Sequence, residues 1–455
     1  MIHNPFSLIP QCVLRKPLTA GYNMLDRLTV SNYRAHCGNS VTGRALLSYR
    51  VAPLLVGRYL QENKWLSKNL SSQIPRALNE MGYVVDIVNY DNLSWLPQRS
   101  YDVFIGHAGI NFERICNRLA GSTVRIYYST GIYWREANRR EAQRLYDLAE
   151  RRGFVLPPDR AITHSEEGAN RAADGIIHLG NAEASRTFKG FPVVYAVNNC
   201  STQVQWDGTL KKDYRPGLKN FLFFSGSGNV HKGLDLLLEA FAQTDLHLHI
   251  CQGLEPSFRA VYRFELESCP NIHFHGRIPM RSPKFRELAA SCNWVISATC
   301  AEGQPGAVIE CMSHGLLPVL PDSANIDLDN WGLRLPDCGV ISIQNTALQL
   351  SKMSDDECRN RAEAMLATVA VQYSSDAFRS AFKQAVTSIV ITTGSSHRLS
   401  NPETDSALVG PEAVRPSRRL SESPLCTPVS NAVEKRQITG VDFDQKRTFS
   451  IFPMR

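Results

Sequence analysis

One alternation occurs twice along this chain and constrains its fold more than any other feature. Short apolar runs, "YVVDIVNY" (83–90), "YDVFIGHAG" (101–109), "TVRIYYST" (123–130), "DGIIHLG" (174–180) and "FPVVYAVNN" (191–199), are spaced by stretches of helical period such as "NKWLSKNLSSQIPRALNEMG" and "YWREANRREAQRLYDLAERRG". Apolar runs of this length bounded by turn residues read as buried strands, and strands alternating with helices pair in parallel. Residues 201–220, "STQVQWDGTLKKDYRPGLKN", break the rhythm with polar, Gly and Pro residues and read as a linker. A second series then begins with "FLFFSGSG" and runs through "LHLHICQG", "NWVISAT" and "LLPVLPD". The expected architecture is α/β, with two consecutive Rossmann-like domains. Residues 1–40 show no sustained periodicity and are expected to be weakly ordered. The first domain is placed at 41–205, the second at 206–375, a helix at 376–393, and a disordered tail rich in Ser, Pro and charge at 394–455.

Composition agrees with two globular domains. A chain of 455 residues exceeds what one core usually organises, and 43% hydrophobic with 20% charged residues is ordinary for a soluble protein. The formal charge of +7 admits anionic partners without requiring them, and no nucleic-acid partner is expected. No apolar run approaches the roughly 20 residues of a membrane span, and the N-terminus lacks the apolar segment of a signal peptide. Twelve scattered cysteines, with no C-x-x-C pair and no zinc spacing, point to a reducing cytoplasm.

Two motifs carry chemistry. In "FLFFSGSGNVHKGLDLLLEAF" (221–241) an apolar strand runs into Ser225-Gly226-Ser227-Gly228, with a helix starting near Lys232-Gly233. Glycines let backbone approach a ligand, a helix N-terminus offers free N–H groups, and Lys232 adds a full charge, together a phosphate seat. A dinucleotide fingerprint with Glu255 as ribose acid fits incompletely, because His231 stands at the third glycine position, and no Walker loop is present. The second motif, "CAEGQPGAVIECMSHGLLPV" (300–319), sets Glu302 in a strand-to-helix loop, Pro305 and Gly306 at the helix start, and Glu310 in the helix. Open α/β sheets place ligands at such loops. There Glu302 can accept hydrogen bonds from sugar hydroxyls and Glu310 can reach a ribose diol.

"EGQPGAVIE" resembles the E-x7-E signature of the retaining family 4 glycosyltransferases, and "SGSGNVHKGLDLLLEAF" resembles that family's donor-phosphate loop. "NIHFHGRI" is similar to its base-contacting strand and turn. The resemblance spans roughly residues 45–390. It implies the GT-B fold, with two Rossmann-like domains facing across a cleft and the 376–393 helix crossing back to the first. It also implies a nucleotide-sugar co-substrate, no cofactor and no metal. Lys232 would hold the donor diphosphate, Glu310 the ribose and Glu302 the transferred sugar. Gly226, Ser227, Gly228, Pro305 and Gly306 would line the phosphates, Arg277 and Ile278 would border the base, and His107 would face the sugar. The family usually carries an arginine five or six residues before the lysine, where this chain has Ser227 and Gly226. "GLLPV" has one residue more than the usual G-x-P-V, and the first-domain loop after residue 50 has a single Gly57 in place of a glycine pair.

The implied reaction is metal-independent hexosyl transfer to a glycan, lipid-linked or small-molecule hydroxyl, as in polysaccharide biosynthesis. "IDLDN" (326–330) reads as a solvent-side turn rather than a metal-binding D-x-D. Two rivals stay open: a catalytically silent module of the same fold that binds glycan or a protein partner, and a nucleotide-sugar epimerase. An oxidoreductase ranks below both, since it leaves the second motif unexplained. The basic helix 133–153 carries Arg135, Arg139, Arg140, Arg144, Arg151 and Arg152 among interleaved glutamates, and the favoured reading is a salt-bridged, solvated face. Its other reading is peripheral contact with anionic lipid at the inner face of the membrane.

Overall fold

The computed structural model describes residues 27–38, 40–59, 70–191, 193–201, 212–280 and 282–400. The segments at either end, 1–26 and 401–455, and the linker residues 202–211 lie outside the described residues.

Two sheets organise the chain. The first orders its strands β1-β3-β2-β4-β5-β6-β7, with β1 Thr29–Tyr33, β2 Gly43–Tyr49, β3 Tyr83–Asn89, β4 Val103–Gly106, β5 Val124–Ser129, β6 Gly175–Leu179 and β7 Val194–Val197. All its pairings are parallel except β1 with β3. β1 lies within the segment read as weakly ordered. It is short and bulged, with Asn32 at φ 55°, and so has no clean two-residue period. Asp86, buried in the middle of β3, holds the bulge by accepting from the Asn32 N–H at 2.7 Å.

The second sheet is wholly parallel, in the order β10-β9-β8-β11-β12-β13. Here β8 is Asn220–Phe224, β9 His247–Cys251, β10 Ile272–Phe274, β11 Trp294–Ile296, β12 Leu317–Leu320 and β13 Leu333–Arg334. Each sheet is covered by helices, so its central strands are apolar on both faces, as parallel sheets require. The two α/β sheets expected from the alternation in the sequence are therefore both present. The last helix, Ser375–Ser400, lies on the first domain, where Phe378, Phe382, Val386 and Ile389 join the core under β5 and β6.

Strand order decides where a ligand can sit. In the first sheet the chain reverses direction of growth between β2 and β4, and in the second between β8 and β11. At such a switch the loops leaving adjacent strands diverge and open a crevice at their carboxyl ends. His107 follows β4, the 225–228 loop follows β8, and the loop with Glu302 follows β11.

The helix Trp134–Arg152 corrects a reading from sequence. Its first turns are salt-bridged as expected, with Arg139 and Arg140 on Glu136 and Arg135 on Glu167. Its C-terminal half is not a solvated face but a bolt into the second domain. Arg144 donates to the Ala298 carbonyl at 2.8 Å, Arg151 pairs with Asp235 at 2.7 Å, and Arg152 pairs with Glu239 and Glu265. Partners so distant in sequence leave no local pattern. Arg144, Arg151 and Arg152 are thus engaged inside the chain, while Arg135 and Arg139 stay exposed. No helix among the described residues is long and apolar enough to cross a membrane.

Candidate active site

Two cavities open on either side of the 302–306 turn. One, of about 430 Å³, is lined by Phe224, Gly226, Arg277, Ile278, Gly306 and Glu310 of the second domain, and by Asn199 and Cys200. The other, of about 450 Å³, is lined mainly by the first domain, including His107, Arg160 and Glu166, and by His231, Glu302 and Gly303.

The turn between them is held by the residue that the motif leaves unspecified. Gln304 is 4% exposed and is a hydrogen-bond hub. Its side-chain oxygen accepts from the Asn199 N–H at 2.8 Å, while its amide donates to Asn198 Oδ1 and to the Asn325 carbonyl. Gly303 is required by space. A Cβ there would lie 2.5 Å from the Thr130 carbonyl oxygen and 2.6 Å from that of Leu179, both first-domain backbone. The glycine thus lets the second-domain loop seat directly on the ends of β5 and β6.

Lys232 and Glu302 form a contact ion pair, and Thr299 Oγ1 donates to the same carboxylate oxygen at 3.2 Å. Burial, then the facing Arg160 charge, lowers the Lys232 ammonium to about 7. His231 stands beside the pair. Its Nε2 hydrogen-bonds the Ala301 carbonyl at 2.5 Å, so that nitrogen carries a proton, and its Nδ1 lies 3.6 Å from Glu141. Glu310, largely buried in the short helix Gly306–Met312, accepts from Ser201 Oγ at 3.1 Å.

His107 donates from Nδ1 to the Tyr128 carbonyl at 2.9 Å, because a carbonyl can only accept, which leaves Nε2 as the acceptor. Tyr49 and Tyr90 pack edge-on against its ring. Burial lowers its pKa, so the imidazole is neutral at pH 7. Ala108, next along the chain, has φ 59°, a backbone strain of the kind found where a turn must present a particular group.

Seven of the donor-site and catalytic candidates named from sequence line these two cavities. Gly226, Arg277, Ile278, Gly306 and Glu310 line one, and His107 and Glu302 line the other. Lys232 bridges to Glu302, Ser227 and Gly228 lie under Arg160, and Pro305 caps the helix that carries Glu310. Asp327 and Asp329 of "IDLDN" are exposed, as read from sequence. Among the described residues, no group of three or more His, Cys, Asp or Glu is arranged to hold a metal ion.

Sequence reasoning missed Gln304, Arg160 and Glu166. Gln304 occupies a variable motif position, and the other two lie on the Pro-rich segment "LPPDRAITHSEEG", which has neither period nor motif. Glu166 is 7% exposed, and burial pushes its carboxyl up to about 7.

Residues 219–333 match a family model described as glycosyl transferases group 1. No curated protein matches the chain. Among solved structures, sucrose-phosphate synthase from Thermosynechococcus elongatus is 13% identical with a TM-score of 0.49, covering 78% of this chain and 98% of that one. HepE from Anabaena, in complex with UDP and glucose, is 13% identical with a TM-score of 0.48, covering 76% and 99%. TarM is 15% identical with a TM-score of 0.47, covering 62% of this chain and 54% of that one. The chain thus spans little more than half the length of TarM.

Proposed function

We propose that this chain is a glycosyltransferase of the retaining, family 4 type, moving a sugar from a nucleotide-sugar to an acceptor hydroxyl without a metal ion. One observation carries the reading: the Lys232–Glu302 pair stands at the turn between the Glu310 cavity and the His107 cavity. The group 1 match over residues 219–333 supports the same assignment for the second domain.

In this reading the nucleoside occupies the Glu310 cavity. Glu310 accepts from the ribose hydroxyls, and Arg277 and Ile278 border the base. The diphosphate lies along Gly226–Gly228 and the 305–306 turn, facing Lys232. The sugar projects into the second cavity, where Glu302 and the unprotonated Nε2 of His107 hold its hydroxyls. The bond from the anomeric carbon to the phosphate oxygen breaks, and its electron pair stays with the nucleoside diphosphate. The acceptor oxygen attacks from the same face, forming the new glycosidic bond, and its proton passes to the departing phosphate oxygen. Lys232 stabilises the charge that develops there, and a fixed cation in a water-poor site is more effective than the same charge in solution. The acceptor is a glycan, a lipid-linked sugar or a small molecule entering from the first-domain side, and we place the enzyme in the cytoplasm.

The test is to incubate the protein with UDP-, GDP- and ADP-sugars and a panel of hydroxyl acceptors, and to read the product anomer by NMR. Transfer with retained configuration is expected. An inverted product contradicts the retaining assignment, and epimerised donor without transfer favours the epimerase.

A further inference from the structure

The segment after the Trp134–Arg152 helix crosses onto the second domain, where Leu156 is buried in that domain's core. It is latched twice. Glu141, 2% exposed on the helix, accepts from the backbone N–H of Asp159 at 2.9 Å and of Arg160 at 2.8 Å. Asp159 accepts in turn from the N–H of Asn229, in the loop after β8, at 2.5 Å.

This latch fixes Arg160 over the glycine loop. Its Cγ lies 2.7 Å from where a Cβ on Gly228 would be, and Gly228 has φ +90°, so both space and backbone favour glycine beneath the arginine stem. Its guanidinium donates to Ser227 Oγ at 3.4 Å. Arg160 has no carboxylate partner among the described residues, and it lines the same cavity as His107 and Glu302.

The local ion pairing is therefore incomplete. Lys232 is paired with Glu302, whereas Arg160, close enough to disfavour the charged form of Lys232, makes no ion pair among the described residues. Exposed cations without a partner are ordinary on a surface, but this one is held by two hydrogen-bonded carboxylates above a Gly-x-Gly turn. An anion with several oxygens would relieve the repulsion between the two cations and could accept from the planar guanidinium fork at two points.

We propose that Arg160 is a donor-diphosphate ligand supplied by the first domain, so that both domains grip the same diphosphate, with Glu141 and Asp159 as its positioning residues. The inference rests on the nucleotide-sugar reading above. It supplies the arginine that the 225–232 loop does not itself contain.

Titration calorimetry on the full chain tests it, with UDP, GDP and ADP against uridine, guanosine and adenosine. For the base that the wild type binds, Arg160→Ala is expected to weaken the diphosphate by about 10- to 100-fold and leave the nucleoside unchanged. Arg160→Lys is expected to recover part of the loss, since it keeps the charge and loses the fork. Because Arg160 is exposed, both variants should fold, and an unchanged melting temperature checks this. Diphosphate binding by Arg160→Ala within twofold of wild type overturns the inference and leaves the functional reading standing. A wild type that binds none of the three diphosphates overturns both.

Discussion

Lys232 and Glu302 contact one another with side chains only 12% and 13% exposed. The loop after β8 and the loop after β11 thus meet through an ion pair at the carboxyl edge of the second sheet. Neither charge is well solvated, so each depends on the other. Glu302→Gln or Lys232→Met alone is expected to cost about 3 kcal/mol, because one buried charge is left without its counterpart. The double variant should cost less than the sum of the two. Denaturant unfolding of the three proteins measures this coupling. Additive losses would show that the contact is not energetically real.

The interdomain bolt makes a second contrast. Arg151 reaches Asp235, whose side chain is fully buried, while Arg139 pairs with Glu136 on the open face of the same helix. Arg151→Ala strands the Asp235 carboxylate and is expected to destabilise by about 3 kcal/mol. Arg139→Ala should stay within about 0.5 kcal/mol. Equal effects in a denaturation series would mean that the 134–152 helix does not bolt the domains together.

What the sequence revealed follows from the range of each interaction. The strands of both sheets and the 300–319 motif are local, since apolar periodicity and Gly-Pro turn chemistry act over a few residues. The partners of Arg144, Arg151 and Arg152 lie 84 to 154 positions away, so the helix that carries them looked solvated. Arg160 and Gln304 were hidden for a related reason. Each works by reaching the opposite domain, and nothing in its neighbourhood along the chain encodes that reach. β1 escaped notice because a bulge at Asn32 erased its period.

Glu166 predicts a pH dependence. Burial holds its carboxyl at about 7 in the folded chain, against an ordinary value of 4.5. Between these values the folded state binds the extra proton, so this group's contribution to stability is present below 4.5 and is lost as pH rises through 7. Glu166→Gln keeps the shape without the charge and is expected to raise stability by about 2 kcal/mol at pH 8, with little change at pH 4.5. Melting curves of the two proteins across that range check this, and a difference independent of pH would contradict it.

We propose that Glu310 and Lys232 grip one nucleotide-sugar from adjoining cavities. Thermal melting with UDP, GDP, ADP and their sugars, repeated on Glu310→Ala and Lys232→Ala, tests it most directly. A ligand that binds only the folded state at 100 times its dissociation constant adds about 2.7 kcal/mol. One nucleotide series should therefore raise the melting temperature of the wild type, and the rise should be lost in both variants. No shift with any nucleotide, or an equal shift in wild type and variants, would contradict the claim.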